Sequence, residues 1–285
     1  MKHILLALVL ALPVANAAEN AAFQVNISGH GQPMILIPGL SSSGETWDST
    51  VAHYKDRYEC HVFTLAGFAG VPPVAATPDH PMLEQARDQI AAYIRQKKLV
   101  RPVIVGHSLG GFLALGIASR YPDLPGKLVI VDAYPSLPAI FQPDITAEQA
   151  KAQSAMTRKF MSGADPEQGA RMSIRAMVTK DADFERVMNW SRASHYPSVV
   201  DAMVEMYGTD LRDAVASIQS PALVLATWIA YKDYSTRETT EANARRDYAK
   251  LKGVDIRFTD TARHFIMYDD PEWFFTQIDG FLGAK

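Results

Sequence analysis

An apolar run that stops at a small-residue turn carrying one serine, V-I-V-G-H-S-L-G-G from Val103 to Gly111, constrains this chain more than any other stretch. Val103, Ile104 and Val105 are β-branched and uninterrupted by polar side chains, the composition of a central parallel strand buried on both faces. Gly106-His107-Ser108-Leu109-Gly110 then fits G-x-S-x-G, a strand-to-helix elbow that presents a serine hydroxyl at the C-terminal edge of a sheet. A Cβ at Gly106 or Gly110 is expected to collide with the neighbouring strand or with the helix packed behind the turn. Phe112, Leu113, Leu115, Ile117 and Ala118 follow at helical spacing until Tyr121 and Pro122 stop the pattern. Strand, turn and helix are all present, which makes Ser108 a candidate nucleophile rather than only a helix cap.

With 285 residues, 48% of them hydrophobic, the chain can bury the core of one α/β domain with or without an inserted subdomain. The formal net charge of −3 provides no basic field, so neither nucleic acid nor an acidic membrane is an expected partner. Cys60 is the only cysteine, which excludes an intrachain disulfide and a cysteine-rich metal site and leaves it as small filler in a strand. At the N-terminus, Lys2 and His3 precede an apolar run from Ile4 to Leu12, then Pro13 and Val14-Ala15-Asn16-Ala17-Ala18. Small residues stand where a signal peptidase reads, so residues 1–17 are expected to be a signal peptide, cleaved after Ala17 or Ala18, and the protein periplasmic or secreted. A permanent membrane anchor needs about 20 apolar residues, more than this run has.

Strand and helix patterns alternate from Met34 to Asp132 and resume near Ala222, which predicts a doubly wound, mostly parallel central sheet. Phe23–Ser28 reads as a half-buried strand, with Gly29-His30-Gly31 as a hairpin turn to the strand Met34–Ile37. Tyr58–Leu65, Lys127–Val131, Ala222–Thr227 and Val254–Thr259 are further strands, and Met82–Lys98, Arg237–Leu251 and Pro271–Leu282 are helices. Between about Pro135 and Gln219 the strand pattern disappears, and helical spacing covers Thr146–Met161, Pro166–Met177, Asp183–Ser194 and Val199–Tyr207. This predicts a helical cap over 135–219 inserted in a core formed by 18–134 and 220–285. Seven of the 11 methionines fall in it, a composition suited to an adaptable apolar pocket, although ordinary helix-core packing accounts for most of them individually.

A serine alcohol needs an adjacent base to become a nucleophile near neutral pH. His264 follows the last strand, at the sheet edge where Ser108 is displayed, and is the expected base; His195, in the cap, is placed only to touch substrate. The base needs an acid to hold its tautomer. Asp233 follows the strand Ala222–Thr227 and Asp132 ends the strand before it. Either fits if adjacent strand ends lie close, with Asp233 taken first and Asp132 as the alternative. The oxyanion is expected to sit on two backbone N–H groups: that of Leu109, directly after the nucleophile, and that of Leu40, in the loop after Met34–Ile37.

Pro38-Gly39-Leu40 with Trp47 downstream, Gly106-His107-Ser108-Leu109-Gly110-Gly111, Val131-Asp132, and His264-Phe265 before Asp270-Pro271-Glu272 together resemble the α/β-hydrolase superfamily, in particular its capped single-chain members. The resemblance covers nearly all of the chain after residue 17. It implies Leu40 and Leu109 as oxyanion donors, a substrate cavity between sheet and cap, and the chain order nucleophile, acid, histidine. In the common family pattern a glycine and then the acid closely follow the penultimate strand; here Thr227-Trp228-Ile229-Ala230 stands there and Asp233 comes late. Some members carry the acid one strand earlier, where Asp132 stands. The serine disfavours dehalogenase and epoxide hydrolase chemistry, which uses an aspartate at the elbow. The expected function is cleavage of an ester-like, mostly apolar small molecule, of the carboxylesterase kind, with no cofactor and no metal. Aminopeptidase or amidase, lactonase, carbon–carbon bond hydrolase and acyltransferase share the same machinery. A non-catalytic binding protein on the same scaffold is the competing class.

Overall fold

The computed structural model describes residues 21–163 and 165–283. The stretch read as an export signal, with Ala17 and Ala18, lies outside the described residues. The strands are β1 (Phe23–Gly29), β2 (Gln32–Ile37), β3 (Tyr58–Leu65), β4 (Val103–His107), β5 (Lys127–Val131), β6 (Ala222–Thr227) and β7 (Asp255–Thr259). They form one sheet in the order β1-β3-β2-β4-β5-β6-β7, with β1 antiparallel on β3 and every other neighbouring pair parallel. The helices are α1 (Asp48–Tyr54), α2 (Met82–Gln96), α3 (Leu109–Arg120), α4 (Ala147–Gly163), α5 (Pro166–Met177), α6 (Asp181–Ala193), α7 (Tyr196–Gly208), α8 (Arg237–Asp247), α9 (Ile266–Asp269) and α10 (Pro271–Leu282).

Side-chain alternation along the strands feeds two cores. Ile35, Ile37 and Ile104 pack with Ile90 of α2, Leu113 and Ile117 of α3 and Ala244 of α8. Met34, Leu36, Val103 and Val105 pack on the opposite face with Tyr54 of α1 and Phe274 and Ile278 of α10. Helices therefore cover both faces, the doubly wound arrangement expected, and this is why the central strands read as unbroken apolar runs. Gly29-His30-Gly31 is not a hairpin turn, because β1 skips β2 and pairs with β3. The link crosses the chain entering β3, where His30 N–H donates to the Lys55 carbonyl (3.2 Å) and a Cβ at Gly31 would overlap the Arg57 carbonyl.

Helices α4 to α7 lie between β5 and β6 in the chain and are bonded to loops at one edge of the sheet. Trp190 Nε1–H donates to Glu45 after β2 (3.2 Å), His195 N–H to the Gly67 carbonyl after β3 (2.8 Å), and Phe265 N–H after β7 to the Met177 carbonyl (3.2 Å). Those loops follow parallel strands, so the insertion sits over their C-terminal ends. α7 begins at Tyr196, earlier than Val199, because Pro197 suits a first helical turn. Met188 and Met206 are core residues, whereas Met156 and Met172 are each 71% exposed. The methionine richness is thus divided between packing and surface.

Candidate active site

Ser108 stands between β4 and α3 with φ 53° and ψ −121°, a backbone that a residue with a Cβ holds only under constraint. Its N–H donates to the Val131 carbonyl (2.9 Å), which ties the turn to the end of β5. Both elbow glycines are sterically required: a Cβ on Gly106 would overlap the Gly110 carbonyl of α3, and one on Gly110 would overlap the Ile37 carbonyl of β2. Ser108 is half-buried while its neighbours on both sides are buried, so its hydroxyl is displayed and the turn itself is packed.

His264 lies in the loop after β7, and its Nδ1–H donates to Asp132 Oδ2 at 2.6 Å. The Asp132 side chain has no solvent exposure, and that of His264 retains 13%. The second carboxylate oxygen accepts from the Thr227 N–H (3.3 Å) at the end of β6, and the Asp132 N–H donates to the Leu225 carbonyl (2.7 Å). Asp132 itself has φ 43°, so both Ser108 and Asp132 occupy left-handed backbone at the ends of neighbouring strands. The hydroxyls of Tyr134, Tyr231 and Tyr248 are held well above the usual range, by burial first in all three; the Asp132 charge comes next for Tyr134 and Tyr231, and for Tyr248 the Asp247 charge and then that of Asp132.

Asp233, the acid taken first from the sequence, is not at His264. It is exposed, in the loop after β6, where it lines an open groove with Lys232 and Arg237. The Thr227 hydroxyl donates to the Ala262 carbonyl (2.5 Å) and accepts from the Ile229 N–H (3.0 Å), which ties the end of β6 to the histidine loop. A 3-10 turn over Ile229–Tyr231 then carries the chain onward before Asp233 is reached. The alternative, Asp132, is the carboxylate that the fold brings to His264: β5 ends beside Leu225, two residues before β6 does, and the Thr227 N–H at the end of β6 holds the other oxygen of that carboxylate.

His107 is buried, and burial together with nearby His264 holds its imidazole well below the usual pKa. It is therefore neutral, and its Nε2–H donates to the His264 carbonyl (3.1 Å), fastening the histidine loop to the residue beside Ser108. The sequence offered only its place in the elbow as a hint of this. Gly39 approaches the same two residues so closely that a Cβ there would lie 3.1 Å from His107 Nδ1 and 3.2 Å from Ser108 Cβ. The loop is fixed by the Ser42 N–H donating to the Gly39 carbonyl (3.2 Å) and the Ser42 hydroxyl to the Leu40 carbonyl (3.1 Å). Leu109, the first residue of α3, carries an N–H with no carbonyl a turn earlier to bond. Leu40 follows Gly39 directly, so both expected N–H donors belong to segments packed against the serine. His195 is exposed and bonded to Ser198 (Nδ1 to Oγ, 2.9 Å) at the start of α7. Among the described residues no group of three or more His, Cys, Asp or Glu is arranged to hold a metal, and no helix is long and apolar enough to cross a membrane.

A mostly parallel sheet with a strained serine elbow at its C-terminal edge, a histidine bonded to a buried aspartate beside it and a helical insertion above defines a hydrolase-type α/β scaffold. The chain belongs to the alpha/beta hydrolase family, whose model matches residues 34–277. Over 211 residues it is 28% identical to a pimeloyl-[acyl-carrier protein] methyl ester esterase of Vibrio cholerae, covering 70% of this chain and 76% of that protein. It is 23% identical over 279 residues to an N-formylmaleamate deformylase of Pseudomonas putida, covering 94% and 95%. Among solved structures, the enol-lactonase of Burkholderia xenovorans LB400 superposes with a TM-score of 0.74 at 16% identity over 92% of this chain and 96% of that one. These relatives are hydrolases, and the chain is an enzyme of that broad class.

Proposed function

We propose that this protein is an exported serine hydrolase that cleaves ester-like, mostly apolar small molecules through an acyl-enzyme. The observation that carries the reading is the buried Asp132 carboxylate 2.6 Å from Nδ1 of His264, in a loop fastened to the elbow of Ser108. With the Nδ1 proton engaged by Asp132, Nε2 carries the lone pair that a base needs. Ser108 Oγ attacks the substrate carbonyl as its proton passes to His264 Nε2, and Asp132 stabilises the imidazolium that forms. The carbonyl oxygen gains its negative charge against the Leu40 and Leu109 N–H groups, preoriented donors that need no solvent reorganisation. The imidazolium returns its proton to the departing alcohol, leaving an acyl group on Ser108. Water then attacks with its proton going to Nε2, and release of the acid restores the serine. No cofactor or metal enters these steps. Asp132, not Asp233, is the acid in this reading, and the N-terminal leader is the basis for export.

The test is covalent labelling with a fluorophosphonate probe alongside turnover of p-nitrophenyl esters of graded chain length, with lactones and N-formyl amides run in parallel. Wild type should label and hydrolyse, and Ser108→Ala should do neither. Full function in Ser108→Ala, or no labelling of wild type, would favour a binding protein on this scaffold.

A further inference from the structure

The strand end that carries Asp132 is pinned from a direction that the bond-making steps do not use. Its left-handed backbone, φ 43°, persists only where the surroundings impose it. The next residues are held by the C-terminal end of α8: the Tyr248 hydroxyl donates to the Ala133 carbonyl at 2.6 Å, and Asp247 Oδ2 accepts from the Ser136 N–H at 3.0 Å. Both side chains are buried, Tyr248 fully and Asp247 to 3% exposure. The segment returning from the cap braces the same place, since the Leu211 N–H donates to the Pro135 carbonyl (2.9 Å) and Arg212 Nε lies 3.8 Å from Asp247 Oδ1. Burying a carboxylate to satisfy one backbone amide is unfavourable, so its presence here is explained by the position it enforces.

We infer that Asp247 and Tyr248 are positioning residues for the reaction: together they clamp residues 133–136 and so hold the Asp132 carboxylate at His264. The inference rests on the triad reading above. Released from the clamp, the backbone at residue 132 relaxes from its left-handed conformation. The carboxylate then no longer meets both of its donors, His264 Nδ1–H and the Thr227 N–H.

The experiment uses the intact chain with p-nitrophenyl butyrate, melting curves, and proton NMR of the far-downfield His264 Nδ1–H resonance. Tyr248→Phe removes one hydroxyl and keeps the ring. It should lower kcat about three- to tenfold, the scale of one hydrogen bond, leave KM unchanged, and shift or broaden that resonance. Asp247→Ala should do the same. Asp247→Asn retains an acceptor for the Ser136 N–H and should keep kcat within about twofold of wild type. If Tyr248→Phe lowers only the melting temperature, with kcat and the resonance unchanged, the pair is merely structural and the inference fails. A loss in Asp247→Asn as large as in Asp247→Ala would place the role in the charge and overturn the clamp. Asp132→Asn, measured alongside, separates the two levels. Its inactivity beside fully active clamp variants sinks the clamp alone, whereas its full activity sinks the triad reading and the clamp with it.

Discussion

The two aspartates proposed for one role differ in what surrounds them. Asp132 has lost all side-chain exposure and is bonded by the His264 ring and the Thr227 amide, whereas Asp233 is in solvent beside Lys232. Asp132→Asn keeps the shape but leaves an amide where the imidazole N–H needs an acceptor, favouring the wrong tautomer. Turnover of a p-nitrophenyl ester should fall by ~10⁴-fold, while Asp233→Asn should stay near wild type. Equal activity of the two variants in steady-state assays would remove Asp132 from the mechanism. His107 belongs to the same scale. It is next to the nucleophile, yet its contribution is to donate to the His264 carbonyl, which keeps the histidine loop against the elbow.

Among the elements, α2 and α7 show how the insertion is joined to the sheet domain. Pro81 occupies the N-cap position of α2 and has no side-chain oxygen to offer, so the first-turn amides need another acceptor. Glu205 of α7 supplies it, accepting from the Met82 and Leu83 N–H groups at 2.7 Å each. A helix start in one part is thus completed by a carboxylate from the other. Glu205→Ala should cost about 1–2 kcal/mol of stability, on the scale of a lost N-cap. It should also raise hydrogen exchange selectively in the first turn of α2. Unchanged exchange there, with a melting temperature equal to wild type, would show that the contact holds nothing. From sequence, the periodicity of both helices was legible, because each buries an apolar stripe. Their bond was not, since Glu205 looks like any other acidic residue on a helix.

At the scale of the whole molecule, burial pushes the Asp247 carboxyl up to about 7, against the opposing pull of the Ser136 amide and Arg212. Folded protein then binds that proton more tightly than the unfolded chain, whose aspartate titrates near its ordinary value. The stabilisation from this group is complete below the unfolded pKa and is lost as pH rises toward the folded one, so it declines between about pH 4 and pH 7. Melting temperature should fall across that window in wild type and fall less steeply in Asp247→Asn, with thermal scans at several pH values as the check. The sequence alone determined the strand-turn-helix around Ser108, the alternation of strands and helices, and the helical stretch between β5 and β6, because each is written in local spacing: β-branched runs, small residues at a tight turn, apolar stripes. Gly29–Gly31 reads as a hairpin in the sequence, whereas β1 pairs with β3, because a turn between two strands does not record which strand lies beside which. The sequence leaves the acid open between two aspartates for the same reason. Asp132 and Asp233 both follow strands, and only the pairing of β5 with β6, the turn that leads away after Thr227, and the bonds gathered around residue 132 decide which carboxylate meets the imidazole. Those are distances between segments remote in the chain, and they exist only once the sheet has formed.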